Sequence, residues 1–387
     1  MLKVKVAAIA KDEGAYISEW VHHHLYFGFD AVEVYVNNTS DRTMAILDSL
    51  SENYAVEYQI RDDLVEEAKG NFQKAAYNDI ALRAKLDGFT HILFIDIDEF
   101  WTPKDFTMTV KDFLSDTDNA DCYVFQWSMH HDEKIFSPCF NLSNRFKKAP
   151  QLKHLINLSS SFDNVGIHNT YGDGFVYRDS SGAEIIFDAE DKLRSKIVNN
   201  KALSDSVFIV HRAYRSQLEY VSLLLRGRPT GQVIKNNRLG YYKSEEFDQI
   251  FTIDEKKLDD YLAHLVVFEQ PIMDYIAISR NFVIERYKRA LDVFSSDLSD
   301  ADRKDLKIAL RNVTIDEVVE VHEKVFGRNK TDNYVDSLRE LAFALEADAK
   351  IDLAYLVLSA AQKLRPHGPV INNKINQYKE ILARDSD

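Results

Sequence analysis

The stretch Gly88–Phe100, GFTHILFIDIDEF, decides how the rest of the chain is read. Its run His91–Ile95 has the length of a buried strand, and it ends on Asp96, Asp98 and Glu99. Carboxylates crowded at the end of a buried strand repel one another and are costly to desolvate, so they call for a countercharge. In an open α/β sheet, ligands bind beyond the carboxyl ends of the strands, where these acids stand. A bound divalent cation is the economical relief. A tight turn after Ile95 lets Asp98 bind such an ion directly while Asp96 contacts a ribose or a metal-bound water. An all-oxygen or oxygen-plus-imidazole set suits Mn²⁺ or Mg²⁺, whereas Zn²⁺ would want more His or Cys. The plainer alternative is a solvated acidic turn.

Outward from this stretch the chain alternates two periodicities. VKVAAIA (Val4–Ala10), AVEVYV (Ala31–Val36) and YAVEYQI read as buried strands. AYISEWVHHHLYFGF, SDRTMAILDSLSEN with Ser40 or Asp41 as N-cap, and NFQKAAYNDIALRAKLDG closed by Gly88 read as helices. The order β-α-β-α-β-α-β implies a mainly parallel α/β sheet with helices on both faces. Cys122 to Val210 is mixed, with short strands such as DCYVFQW and DSVFIVH. After Ser216 the pattern is helical, and NNRLGYYKSEEFDQ reads as a linker. The expected domains are residues 1–245, α/β, and residues 246–387, α-helical. Within the latter, Ala342, Ala354, Ala360, Leu364 and Pro366 fit either a single tetratricopeptide-like repeat at 334–384 or a plain helical hairpin.

The composition narrows the classes. With 45% apolar and 12% aromatic residues in 387, the chain can build a substantial core. A formal net charge of −14 disfavours non-specific binding to nucleic acid or anionic lipid, so a phosphorylated substrate needs its own local countercharge. Two cysteines, Cys122 and Cys139, supply neither a disulfide framework nor a thiolate metal site. MLKVKVAAIAKDEG reads as a strand rather than a signal peptide, and no apolar run approaches the ~18 residues of a membrane span. The expected location is the cytoplasm, with docking at the inner face of a membrane left open.

KDEGAYISEWVHHHLYFGFDAVEVYVNNTSDRT, NFQKAAYNDI and FIDIDEFW resemble, in order and spacing, the signatures of glycosyltransferases of the GT-A fold. The nearest kind is the family-2-like and family-92-like group with a DxDEF motif. The resemblance rests on Lys11-Asp12-Glu13, Glu19-Trp20, His24, Gly28-Phe29-Asp30 and Asn38-Thr39-Ser40-Asp41, and it covers roughly residues 3 to 230. Lys11 and Asp12 stand where the pattern has Arg and Asn. It implies a nucleotide-diphosphate sugar donor, most simply a UDP-sugar, transfer with inversion to a hydroxyl of a glycan or glycolipid, and a role in surface polysaccharide synthesis. The donor would meet Lys11, Glu13, Asn38, Asp41, Gln73 and Lys74, although Asp41 also suits a helix cap and Lys74 an exposed helical position. Asp96 and Asp98 would serve the metal with a downstream histidine, either His211 in VFIVHRAYRSQLEY or His168 in NVGIHNTYG. His211 is favoured as the ligand, leaving His168 to touch sugar and Arg215 to neutralise diphosphate. Asp132 and Glu133 are the nearest candidates for the base that deprotonates the acceptor, and they read equally well as loop acids. Trp127 offers a platform for a sugar ring or fills core. The histidines His22–His24 point about 100° apart on a helix and read as structural.

Two rival classes remain at this stage. A haloacid-dehalogenase-like phosphotransferase also ends a strand in Asp-x-Asp, but Phe100 stands where that pattern has Thr or Val. A non-catalytic scaffold would use the helical tail, or its self-association, for binding.

Overall fold

The computed structural model describes residues 1–384 except 69, 132–133, 186, 188–194, 197–202, 227–233, 236, 243–245, 248, 297, 328–329 and 367–368. Two compact units are present, Met1–Ile315 and Asp316–Asp387. The first opens with the alternation expected: β1 (Val4–Ala10), α1 (Ile17–Tyr26), β2 (Ala31–Val36), α2 (Thr43–Ser51), β3 (Val56–Ile60), a short α3 (Asp62–Glu67), α4 (Phe72–Leu86) and β4 (His91–Phe94). β5 (Glu99–Pro103), α5 (Val110–Asp116), β6 (Cys122–His130) and a 15-residue β7 (Ser143–Asn157) follow. Next come β8 (Asn164–Val165), β9 (Thr170–Tyr171), β10 (Tyr177–Arg178), β11 (Val207–His211), α6 (Gln217–Leu224) and β12 (Gln249–Thr252). Three helices close the unit, α7 (Glu255–Glu269), α8 (Met273–Phe294) and α9 (Asp300–Ala309).

The main sheet runs β3-β2-β1-β4-β7-β6-β11-β5. Its first four strands are parallel, as the alternating order requires. Beyond β4 the sheet is mixed rather than mainly parallel. β7 runs antiparallel to β4 and β6, and β5 antiparallel to β11. The element order passes straight from β6 to β7, and neighbours joined without a crossover helix pair antiparallel. β5 ends the ladder four places from β4, yet only Ile95–Asp98 join the two. The amide of Glu99 donates to the carbonyl of Asp96 at 3.0 Å, closing a turn. The sheet therefore curls until its far edge returns to the end of β4, helped by a bulge between Gln126 and Ser128.

Side-chain alternation sorts two layers. Val4, Val6, Ala8 and Ala10 join the core beneath α1 and α2, while Ala7, Ile92 and Phe94 meet Phe72, Tyr77 and Ile80 of α4. Both faces being covered, the strands read as continuous apolar runs. Within β1 and β2 the exception is a fully buried pair, Lys5 Nζ to Glu33 Oε2 at 2.6 Å, extended by Arg83 to Glu33 Oε1 at 2.7 Å.

The division between compact units lies at 315/316, well past the expected boundary at 245. The reason is packing. Phe251, Ile253, Leu258, Tyr261, Phe268, Ile272, Ile276 and Val283 belong to the same core as β1 and β2, and β12 pairs with β7. The apolar faces of α7 and α8 thus complete the α/β unit.

The second unit contains α10 (Asp316–Phe326), α11 (Lys330–Ala347), α12 (Ile351–Leu364) and α13 (Pro369–Arg384). The last three pack around Val335, Ala342, Ala354, Leu358, Ala361, Ile371, Ile375 and Tyr378. Ala342 and Ala354 are core as expected; Ala360 and Leu364 are exposed, and Ala361 takes the buried position one residue on. Among the described residues no helix is long and apolar enough to cross a membrane. Cys122 and Cys139 are buried free thiols.

Candidate active site at the strand rim

The turn after β4 separates its acids. Register pairs Phe94 with His154, so Lys153 of β7 comes to lie beside the strand end. Its ammonium, wholly buried, stands 3.0 Å from Asp96 Oδ2 and 3.0 Å from Glu99 Oε2. Asp96 Oδ1 accepts from Gln73 Nε2 at 3.0 Å and from the Tyr77 hydroxyl at 3.4 Å. Glu99 Oε2 also accepts from the amide of Asp96 at 2.8 Å. Burial pushes Asp96 up, but Lys153, which both pairs with and hydrogen-bonds it, and His211 together hold the carboxyl below its usual range. For Glu99 burial wins over Lys153, and its carboxyl is pushed up to about 7. Lys153 is itself raised, because Asp96 and Glu99 outweigh the burial that opposes its charge.

Asp98 faces the other way. β11 pairs antiparallel with β5 so that His211 sits opposite Glu99, and the amide of Arg212 donates to the Asp98 carbonyl at 2.7 Å. This register leaves His211 Nε2 3.6 Å from Asp98 Oδ1. Burial raises Asp98, but His211, and beyond it Arg215 and Arg238, hold its carboxyl well below the usual range. The indole of Trp127 packs on His211 with ring centroids 4.2 Å apart and meets His168 edge-on at 5.5 Å. The indole nitrogen of Trp127 and Nδ1 of His211 are buried and have no hydrogen-bond partner among the described residues.

Arg215 and Arg238 act on Asp98 from nearby, and further arginines lie on the Glu13 side. Arg215, in the left-handed region at φ 52, lays its guanidinium 3.4 Å from the Tyr16 ring centroid and 3.5 Å from Glu13. Arg226 pairs with Glu13 as well, and Arg286 of α8 reaches Asp12 Oδ2 at 3.5 Å and Ser222 Oγ at 3.0 Å. Burial, with Arg238 and Arg226 close by, drives the Lys235 amine well below its usual range. Arg215, Arg226, Arg238 and Arg286 thus stand with the carboxylates of Asp12, Glu13 and Asp98, which offset most of their charge, and Arg238 has no ion pair with a carboxylate among the described residues.

The residues expected at the site fare differently. Asp96, Asp98, His168, His211 and Arg215 lie together at the rim, with Gln73 bound to Asp96. Burial pushes His168 down to about 4. Glu13 holds the two arginines. Asp41 is an internal clamp: its oxygens accept from the amides of Gly14 at 2.8 Å and Thr43 at 2.9 Å, tying the loops after β1 and β2. The Asn38 amide donates to Asp62 Oδ1 at 2.6 Å. Lys11 accepts from Arg226 through its backbone carbonyl, and Lys74 is exposed on α4. Asp132 and Glu133 lie outside the described residues. His22–His24 are structural as read: His23 Nε2–H donates to the Trp101 carbonyl at 2.9 Å, and His24 accepts from the Trp101 amide at 3.4 Å.

Residues 6–169 match the model of glycosyltransferase family 92. By that match the α/β unit is a glycosyltransferase; the matched stretch includes the acidic turn and Lys153 but stops before His211. Among solved structures, S. aureus TarS residues 1–349 aligns at 12% identity and TM-score 0.29, over 99% of this chain and 92% of that one. The same TarS segment in complex with UDP gives 12% and 0.31, over 77% and 95%. HddC from Yersinia pseudotuberculosis gives 12% and 0.27, over 46% and 89%. Superpositions this loose carry no weight for fold or ligand. No curated protein sequence matches the chain.

Lys153, Arg226, Lys235, Arg238 and Arg286 were not foreseen. A signal for Lys153 exists in QLKHLIN, where one lysine interrupts an apolar strand and so requires a buried partner. The others sit in segments whose apposition depends on tertiary packing.

Proposed function

We propose that this glycosyltransferase moves a sugar from a nucleoside-diphosphate donor, most simply a UDP-sugar, to a hydroxyl of a glycan or glycolipid acceptor, with a divalent cation and inversion at the sugar. The observation that carries the reading is the pair Asp98 and His211, brought to one point of the rim beside Arg215 and Arg238.

The pair fits a cation. Ligands bound at about 2.1 Å at right angles lie about 3 Å apart, close to the 3.6 Å between Asp98 Oδ1 and His211 Nε2. Among the described residues no group of three His, Cys, Asp or Glu side chains is placed to hold an ion. A cation here would thus take Asp98 and His211 from the protein and the rest from diphosphate oxygens and water. Mn²⁺ or Mg²⁺ would stabilise charge on the departing diphosphate as a Lewis acid. The chain's own residues do the remainder. Arg215 and Arg238 attract and orient the diphosphate, Gln73 and Lys153 hold Asp96 for a ribose hydroxyl, and Trp127 offers an apolar face to a sugar ring. Inversion requires a carboxylate base for the acceptor, the role suggested for Asp132 or Glu133. Surface polysaccharide synthesis at the cytoplasmic side of a membrane is the setting in which such a donor and acceptor meet.

The test is a panel of nucleotide-sugars assayed for nucleoside-diphosphate release with Mn²⁺ and with chelator. One UDP-linked donor should be turned over only with metal; release indifferent to chelator would remove the cation from the scheme.

A further inference from the structure

The acidic turn carries three carboxylates, yet a single buried ammonium engages two of them. Lys153 Nζ is 3.0 Å from both Asp96 Oδ2 and Glu99 Oε2, and its side chain is wholly inaccessible to water. β7 fixes that position: its neighbour His154 is locked on the opposite face by Thr170 at 2.9 Å, and Leu152 and Leu155 are fully buried. The other Asp96 oxygen is held by Gln73. For Asp96 to turn onto an ion beside Asp98 it would have to abandon Lys153 and leave a buried ammonium half-compensated, which is unfavourable.

We infer that Lys153 is a positioning residue that withdraws Asp96 and Glu99 from metal binding, so that the divalent cation is captured only together with a nucleoside diphosphate. This rests on the cation-dependent reading above and goes further, since it states which carboxylate is excluded and in what company the ion binds. Two further features point the same way. Among the described residues the protein offers the ion one carboxylate and one imidazole, fewer ligands than Mn²⁺ or Mg²⁺ needs. Arg215 and Arg238 act on Asp98 from nearby, and in the absence of an anion they repel a second cation. A diphosphate reverses that field and donates the missing oxygens. Reciprocity then demands that cation and diphosphate raise each other's affinity by the same factor.

The experiment measures free Mn²⁺ by electron paramagnetic resonance as full-length protein is titrated, with and without UDP. Wild type should bind Mn²⁺ at least tenfold more tightly when UDP is present. Because Asp96 is also placed at the ribose, each variant is measured at a UDP concentration that saturates it. Asp96→Asn should then lose far less Mn²⁺ affinity than Asp98→Ala, which should lose it altogether. Lys153→Gln, checked for folding by circular dichroism, frees Asp96 and should tighten Mn²⁺ binding at least tenfold in the absence of UDP. Equal Mn²⁺ affinity with and without UDP would overturn the inference while leaving a metal-dependent enzyme. So would loss of Mn²⁺ in Asp96→Asn as complete as in Asp98→Ala. Failure of wild type to bind Mn²⁺ in either state would overturn the metal-dependent reading and the inference with it. Should Lys153→Gln not fold, the Asp96→Asn comparison decides alone.

Discussion

The indole nitrogen of Trp20 donates to the backbone carbonyl of Glu99 at 2.9 Å, so helix α1 grips the far end of the acidic turn. Both residues are fully buried. Trp20→Phe leaves that carbonyl without its donor, which costs about 1–3 kcal/mol, and loosens the turn that aims Asp98. A lower midpoint in thermal unfolding and a fall in donor turnover are expected together. Unchanged stability would mean that the turn is held by its own hydrogen bonds.

The core extends past residue 245, and truncation reads this directly. A chain ending at residue 315 keeps Tyr261, Phe268 and Ile276 and should unfold cooperatively. One ending at 245 removes them. Large buried side chains are worth about 3–5 kcal/mol each, against a typical total of about 5–15 kcal/mol. That shorter chain should be insoluble or molten in circular dichroism. A well-folded 1–245 fragment would contradict the packing described.

Acid should destabilise the fold well before ordinary carboxylates titrate. Burial pushes His22, His24 and His154 down to about 3 and His91 to about 4. Below about 6.5 the unfolded chain binds protons at these histidines and the folded one does not, so their stabilisation is present above that pH and lost as pH falls. From pH 6.5 to 5.5 the four lose about 4 kcal/mol together. Glu99, raised to about 7, acts oppositely: its folded form takes up the proton first and returns about 1 kcal/mol over the same interval. A clearly lower unfolding midpoint at pH 5.5 than at pH 7.5 is the expected outcome. Equal midpoints would require these histidines to be solvated.

The first half of the sheet could be read residue by residue, because each strand is a short apolar run bounded by a periodic helix. Val4–Ala10 and Ala31–Val36 coincide with their strands. Asp98 and His211 could be placed together because both sit at strand ends, and strand ends converge at a rim. The partner of Asp96 could not. Lys153 meets it only through the β4–β7 register, and β7 was not anticipated as one long strand. The apolar face of α8 was legible from its periodicity, but nothing in that periodicity says that it packs against α6 and α2 or that Arg286 reaches Asp12. In the helical tail, the substitution of Ala361 for Ala360 in the core reflects a phase error of one residue, or about 100° around the helix.

The most direct test of the account is the rate of metal-dependent hydrolysis of the preferred nucleotide-sugar by wild type, Asp98→Ala and His211→Ala. If the two side chains hold the cation that carries the leaving diphosphate, each variant should lose at least about a hundredfold in kcat/KM, near 2.7 kcal/mol of transition-state stabilisation. Both variants hydrolysing donor as fast as wild type would contradict it.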